Sequence, residues 1–398
     1  MQANKILIND FTYSLPDERI ARYPLERRDE SQLLVYNEGV ISKNIFFHLS
    51  DFVPPDGLLV ANDTKVVQAR LLFYKETGAM VEIFCLEPIG ESFDTVFSKK
   101  DKCQWKCIVG NSKKWKEGSL KLEHDGIVLN ANRLEHHDDW QLIEFSWSGN
   151  SLTFSEILEL FGHIPIPPYL NRSDESIDQQ RYQTIYSQHR GSVAAPTAGL
   201  HITPVIIEKL ESKNIKFSTI TLHVGAGTFK PVKEDDVSKH VMHTEQFVVS
   251  LGGLNDILSH LGNITSVGTT TLRTLESIYW IGVKLIKNGH LSTFIEQWEV
   301  YELEQSINAH TAISALINHM KNEGLETIHA QTQIMIVPGY RFRMVDRLIT
   351  NFHQPQSTLL LLVAAFIGGD WRRVYDYALV NDFRFLSYGD GSLLNKSY

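Results

Sequence analysis

The sequence predicts an α/β main domain with a largely parallel sheet, interrupted by an inserted small antiparallel β-barrel domain. Three observations predict it. Short β-type runs crowd residues 66–149 with no convincing helix between them. Strand-like and helix-like segments alternate through the rest of the chain. The length of 398 residues, 43% hydrophobic and 21% charged, is ordinary globular composition and enough for more than one core. The expected division is therefore 1–65 with 150–398 for the α/β part and 66–149 for the insert.

Within the insert the runs are "VVQARLLFY", "AMVEIFCLE", "WKCIVG", "SLKL", "IVLN" and "WQLIEF". Turn signals at Thr77-Gly78, Glu117-Gly118 and Asp125-Gly126 separate several of them. Cys103 and Cys107 stand four apart, so on a strand they share a face. With no second pair to complete a zinc site they read as half-buried thiols. Beyond the insert, "TFSEILELFGHIP" sets Thr153 and Glu156 at capping-box spacing, with Gly162 and Pro165 as the stop. "TPVIIEKLESKN" opens on Thr203 and Pro204 and ends near Asn214, and "IKFSTITLHV" follows as a strand. "HTAISALINHMKNEGLE" reads as an extra helix. The greasiest run, "LLLLVAAFIGG", is well short of the roughly 20 residues that span a bilayer; it reads as a buried helix.

Three cysteines cannot build a disulfide framework, and "MQANKILINDFTY" lacks the features of a signal peptide. Both favour a reducing, cytoplasmic setting. A net charge of −9 argues against indiscriminate coating of nucleic acid. One basic stretch stands out. Between Lys99 and Lys121 eight lysines face Asp101 and Glu117, a balance of +6, with Trp105 and Trp115 interleaved. Lys113, Lys114 and Lys116 are its candidate contacts for a polyanion such as RNA.

The chemistry gathers in loops that follow apolar strands. "SVAAPTAGLHIT" supplies Thr197, Gly199 and His201 among small residues. "STITLHVGAGTFKPV" ends its strand at His223 and continues through Gly225, Gly227 and Thr228. "ITSVGTTTLRTLES" places Gly268 and Thr269, Thr270 and Thr271 ahead of Arg273 and Glu276. "DRLITNFHQPQSTLLLL" sets Asn351 and His353 before Ser357 and Thr358. Strand carboxyl ends form the ligand crevice of open α/β sheets, and free amides at helix starts suit oxygen-rich groups. Neither a phosphate loop nor a dinucleotide glycine pattern is present. His243 and Glu245, in "HVMHTE", lack the spacing of a metalloprotease helix, and no metal is expected there.

These segments, in order, resemble the S-adenosylmethionine:tRNA ribosyltransferase-isomerase family of queuosine biosynthesis. The residues that carry the likeness are "APTAGLHIT", "TLHVGAGTFKPV", "MHTE", "VGTTTLRTLES", "TNFHQPQSTLLLLVAAFIG" and "FRFLSYGD". Upstream, "DFTYSLPDERIARYPLERRDESQLLVYN", "NDTKVVQARL", "IPIPPYL" and "RYQTIYS" fit as well. The resemblance implies an α/β domain interrupted by a β-barrel. It implies transfer of the ribosyl part of S-adenosylmethionine to 7-aminomethyl-7-deazaguanine at the tRNA wobble position, giving epoxyqueuosine-tRNA, adenine and methionine. S-adenosylmethionine is then a consumed substrate, with no further cofactor, and the expected state is a monomer.

Such a reaction needs a base at the ribose C5′ and an acid for adenine. His201 and His223 are the first candidates, with His243 and Glu245 next. Thr197, Gly199, Gly225, Gly227, Thr228, Thr269, Thr270, Thr271, Arg273, Glu276, Asn351, His353, Ser357 and Thr358 are expected to bind substrate. The chain departs from the family pattern at Gln32 (arginine), Gln354 (leucine) and Val337 (an aromatic). It also lacks the Ala-Met pair after "SYGD" and is longer between Gly282 and Thr332. The alternatives are a divergent paralogue using S-adenosylmethionine on another nucleoside or RNA acceptor, or a catalytically silent RNA-binding relative.

Overall fold

The computed structural model describes residues 6–75, 77–149, 151–225 and 234–397. Its larger sheet has ten strands. From one edge to the other they are Phe294–Ile295, Thr327–Thr332, Glu245–Ser250, Lys216–His223, Leu58–Asn62, Ile264–Val267, Arg347–Asn351, Gly391–Asn395, Gln32–Asn37 and Val40–Ile45. The four central strands, from Lys216–His223 to Arg347–Asn351, run parallel. The flanks do not: Glu245–Ser250, Gly391–Asn395 and Val40–Ile45 each make antiparallel pairs. The expected largely parallel sheet is therefore a mixed one. Side-chain periodicity says which face a residue takes, not which way its neighbour runs.

Both faces of this sheet are covered, as buried parallel strands require. Alternate residues divide between two apolar clusters. Leu34, Leu58, Val60, Leu348 and Leu394 pack toward the helices Thr269–Asn288, Ala309–Glu323 and Thr358–Ile367. Leu33, Leu59, Ala61, Ile349 and Leu393 pack toward Phe46, Leu49 and the helix Pro204–Glu211. Thr358–Ile367 is a buried helix, as its composition predicts. Among the described residues no helix is long and apolar enough to cross a membrane.

The β-rich stretch folds into a second sheet, antiparallel throughout, of seven strands. Its order is Gly162–His163, Arg70–Tyr74, Met80–Pro88, Lys102–Gly110, Gln141–Trp147, Ile127–His136 and Leu120–His124. The sheet is curled but open, since its two end strands are not ladder partners. One of them, Gly162–His163, comes from beyond residue 149. Phe154, Ile157 and Leu158 of the following helix, Phe154–Phe161, join its core. A short helix, Phe93–Phe97, also sits between strands where no helix was read. Cys85, Cys103 and Cys107 all lie in that core, where burial pushes the thiol pKa of Cys103 and Cys107 up. The capping box is present, with Thr153 and Glu156 satisfying each other's backbone amides.

Candidate active site

The four parallel strands end along one edge, and there the loops after three of them line a cleft. Its wall is built from Ala194–Ala198, Val224, Gly268–Thr270 and Thr350–Leu359. Tyr169, Tyr182, Leu386 and Ser387 complete it. The small residues that open the quoted stretch "SVAAPTAGLHIT" thus leave room for a ligand, because larger side chains at Ala194, Ala195 and Ala198 would fill it.

Two helices begin in this wall. The helix Thr269–Asn288 starts at Gly268, whose φ of 91° and ψ of 153° only glycine adopts readily. Among the described residues no side chain caps it, so its first-turn amides and the hydroxyls of Thr269 and Thr270 are offered to the cleft. The helix Thr358–Ile367 differs: Ser357 Oγ accepts from Leu360 N at 3.2 Å.

A hydrogen-bond chain runs inward from the cleft. Thr197 Oγ1 donates to Asn351 Oδ1 at 2.8 Å, and Asn351 Nδ2 lies 3.4 Å from both Asp390 O and His201 Nε2. An amide nitrogen only donates, so His201 Nε2 accepts and its proton sits on Nδ1, 2.8 Å from Ser31 Oγ. Burial pushes the His201 pKa down to about 4, so the ring is neutral at working pH. His353 stands in the cleft wall with Nε2 2.8 Å from Thr350 Oγ1, and burial takes it down to about 3.

Several expected ligand contacts are committed elsewhere. Glu276 is fully buried and receives Tyr340 OH at 2.9 Å and the amides of Arg343 and Met344 at 3.0 Å. It ties the loop at Tyr340–Met344 to its helix and does not face the cleft; burial raises its pKa. Thr271 is likewise turned into the interior. Gly199 is required by packing: a Cβ there would stand 1.9 Å from Tyr186 Oη. Arg273, also buried, bonds Glu245 Oε2 at 2.5 Å and Ile334 O at 3.2 Å. His243 Nε2 lies 3.3 Å from the other oxygen, Glu245 Oε1. Burial alone would raise the Glu245 carboxyl, but the Arg273 guanidinium and His243 outweigh it and hold it low. This cluster adjoins Gly225, whose Cβ would lie 3.9 Å from His243 Cδ2.

The histidines thus do not meet in one place. His201 sits behind the cleft, while His223 opens into a separate groove with Phe93, Gln246, Phe247 and His329. There its Nδ1 is 3.3 Å from Thr64 Oγ1, and Gly191 leaves space for the ring. Gly227 and Thr228 lie outside the described residues.

A family model described as "Queuosine biosynthesis protein" matches residues 8–394. The chain belongs to this family. It is 37% identical over 395 residues to the S-adenosylmethionine:tRNA ribosyltransferase-isomerase of Trichlorobacter lovleyi, covering 98% of this chain and 100% of that one. A protein of the same name from a Sulfurihydrogenibium species is 36% identical, with 97% and 99% covered. The crystal structure of an S-adenosylmethionine tRNA ribosyltransferase from Thermotoga maritima shares 28% identity over 97% of this chain and 99% of that one, at a TM-score of 0.46.

In this queuosine-family chain the basic stretch divides in two. Lys99, Lys106 and Lys121 are paired with Glu91, Glu87 and Glu123 at 2.5, 2.6 and 2.9 Å. Lys113, Lys114 and Lys116 are exposed and make no ion pair among the described residues. Trp105 and Trp115 are buried and so are no stacking platform; Arg133 lies 4.5 Å over the Trp115 ring. Sequence reading missed Tyr169, Tyr182 and Ser387 in the cleft, and Ser31 and Asp390 behind it. The run "FRFLSYGD" was the available signal for Ser387 and Asp390.

Proposed function

We propose that this chain is an S-adenosylmethionine:tRNA ribosyltransferase-isomerase acting on 7-aminomethyl-7-deazaguanine at the tRNA wobble position. Epoxyqueuosine-tRNA, adenine and methionine are the products, S-adenosylmethionine is consumed as a substrate, and the chain works as a monomer without a further cofactor. The observation that carries this reading is its full-length likeness to relatives of that name. The cleft at the carboxyl edge of the sheet, with Thr197, Thr269, Thr270 and Asn351 in its lining, supports it.

The sulfonium acidifies the C5′ protons of the ribose, and adenine leaves well only once a ring nitrogen is protonated. In our reading the amides at Thr269 and Thr270, with their hydroxyls, hold oxygens of the nucleoside. Asn351 orients a substrate group, with Thr197 and His201 fixing its amide. His201 is then a positioning residue. Proton transfer falls to His243 with Glu245 beside Gly225, rather than to His223; His353, held neutral by burial, faces the cleft as a hydrogen-bonding group. Ser357 and Thr358 close the far wall. Residues 66–149 act as an insert whose Lys113, Lys114 and Lys116 meet the RNA backbone.

Incubation with labelled S-adenosylmethionine and tRNA bearing the modified base tests this. The expected result is adenine and methionine release that depends on the tRNA, with label retained in the RNA. Absence of adenine release with competent tRNA contradicts the reading.

A further inference from the structure

Beside the cleft lies a second, smaller space. Arg28, Arg181 and Arg384 line it together with His201 and Tyr388. Ser387 lines both spaces, so the two adjoin.

The charge in this space is unbalanced. Arg28 Nη1 donates to Gln183 O at 3.1 Å, while Arg181 donates from Nη1 to Glu26 O at 2.9 Å and from Nη2 to Leu25 O. Those partners are neutral carbonyls. Neither arginine makes an ion pair among the described residues, and Arg181 Nε is buried there with no partner at all. Arg384 reaches Asp390 Oδ1 at 3.4 Å, but that carboxylate also serves the amides of Gln32 and Arg384 at 3.0 and 2.7 Å. The nearby Asp178, which Tyr388 touches, is engaged by Arg172 at 2.7 and 2.8 Å. Among the described residues no aspartate or glutamate lines the space. Arg28 and Arg181, neither of them paired with a carboxylate, repel one another, and an oxyanion that takes their free donors relieves this.

We propose that Arg28, Arg181 and Arg384 form a phosphodiester site for the RNA strand, gripping a phosphate next to the nucleotide whose base enters the cleft. This rests on the tRNA-modifying function proposed above. The other anion in that reaction is the amino-acid carboxylate of S-adenosylmethionine. It carries an ammonium group beside it, and a lining without a carboxylate offers that group no counter-charge. A phosphodiester has no such need.

The test uses the full chain and compares wild type with Arg28→Gln and Arg28→Lys. Affinity for an anticodon stem-loop is measured at several salt concentrations, affinity for S-adenosylmethionine by calorimetry, and folding by thermal melting. Wild type must bind both substrates; if it binds neither, the functional reading itself falls and this site with it. With wild type binding both, Arg28→Gln is expected to weaken the stem-loop about tenfold and to reduce the log-log salt slope by about 0.7, the value for one single-strand phosphate contact. Arg28→Lys keeps the charge but not the fork and is expected to fall between the two. Unchanged stem-loop binding by a folded Arg28→Gln chain overturns the proposal. Loss of S-adenosylmethionine binding with intact stem-loop binding also overturns it, by giving the site to the carboxylate.

Discussion

His201 shows how burial decides what an imidazole does. The same ring on a surface titrates near neutrality; here it is held neutral by desolvation, with its two nitrogens shared between Ser31 and Asn351. Its position in a glycine- and proline-rich run was legible, whereas its depth was not, because burial depends on Phe46 and Ser31 arriving from far along the chain. A consequence follows for stability. The folded-state pKa values of His201 and His353, about 4 and about 3, lie below the ordinary 6.5. Above pH 6.5 both states are neutral and nothing changes. Below it the unfolded chain binds protons that the folded chain refuses, so stability falls as the pH drops from about 6.5 toward 4. Each ring is expected to cost on the order of 2 kcal/mol by about pH 4.5. Urea midpoints measured across that range should decline in wild type and decline less in His201→Gln. Equal slopes would contradict the assignment.

At the scale of elements, helix starts were the most legible feature, because their chemistry is local. Thr153 with Glu156, Ser357 and the glycine-threonine run at Gly268 all mark real helix starts. What the sequence could not separate was which of the residues after Gly268 face the cleft. Thr269 and Thr270 do, whereas Arg273 and Glu276, one and two turns on, are buried against Glu245 and the Tyr340–Met344 loop. That depends on which neighbours pack on the helix, a long-range fact. Thr203 gives a similar lesson: its hydroxyl reaches Asp29 at 3.2 Å and makes no cap bond to the helix it precedes. Gly268 is the element's weak point. A Gly268→Ala substitution is expected to destabilise the fold by on the order of 1–3 kcal/mol, since alanine is strained at that φ and ψ. It should also weaken S-adenosylmethionine binding by shifting the first helical turn. Chemical denaturation and calorimetry read the two effects, and a neutral result in both would contradict the role given to this turn.

For the whole molecule, the two textures of the sequence correspond to two sheets, but their closure and direction were set by contacts distant in sequence. Gln32–Asn37 pairs with Gly391–Asn395 near the other terminus, and Arg70–Tyr74 pairs with Gly162–His163 across the entire β-rich stretch. No local pattern announces either pairing. The cleft is likewise a product of assembly, since Thr197, Gly268, Asn351 and Ser387 reach it from segments far apart in the chain. Catalysis at this edge of the sheet requires that the S-adenosylmethionine nucleoside bind there. A crystal structure of the chain with S-adenosylmethionine measures it directly. Ligand density between Thr197, Gly268, Asn351 and Ser357 is the predicted result; density in the groove beside His223, Phe93 and His329, with the cleft empty, would contradict it.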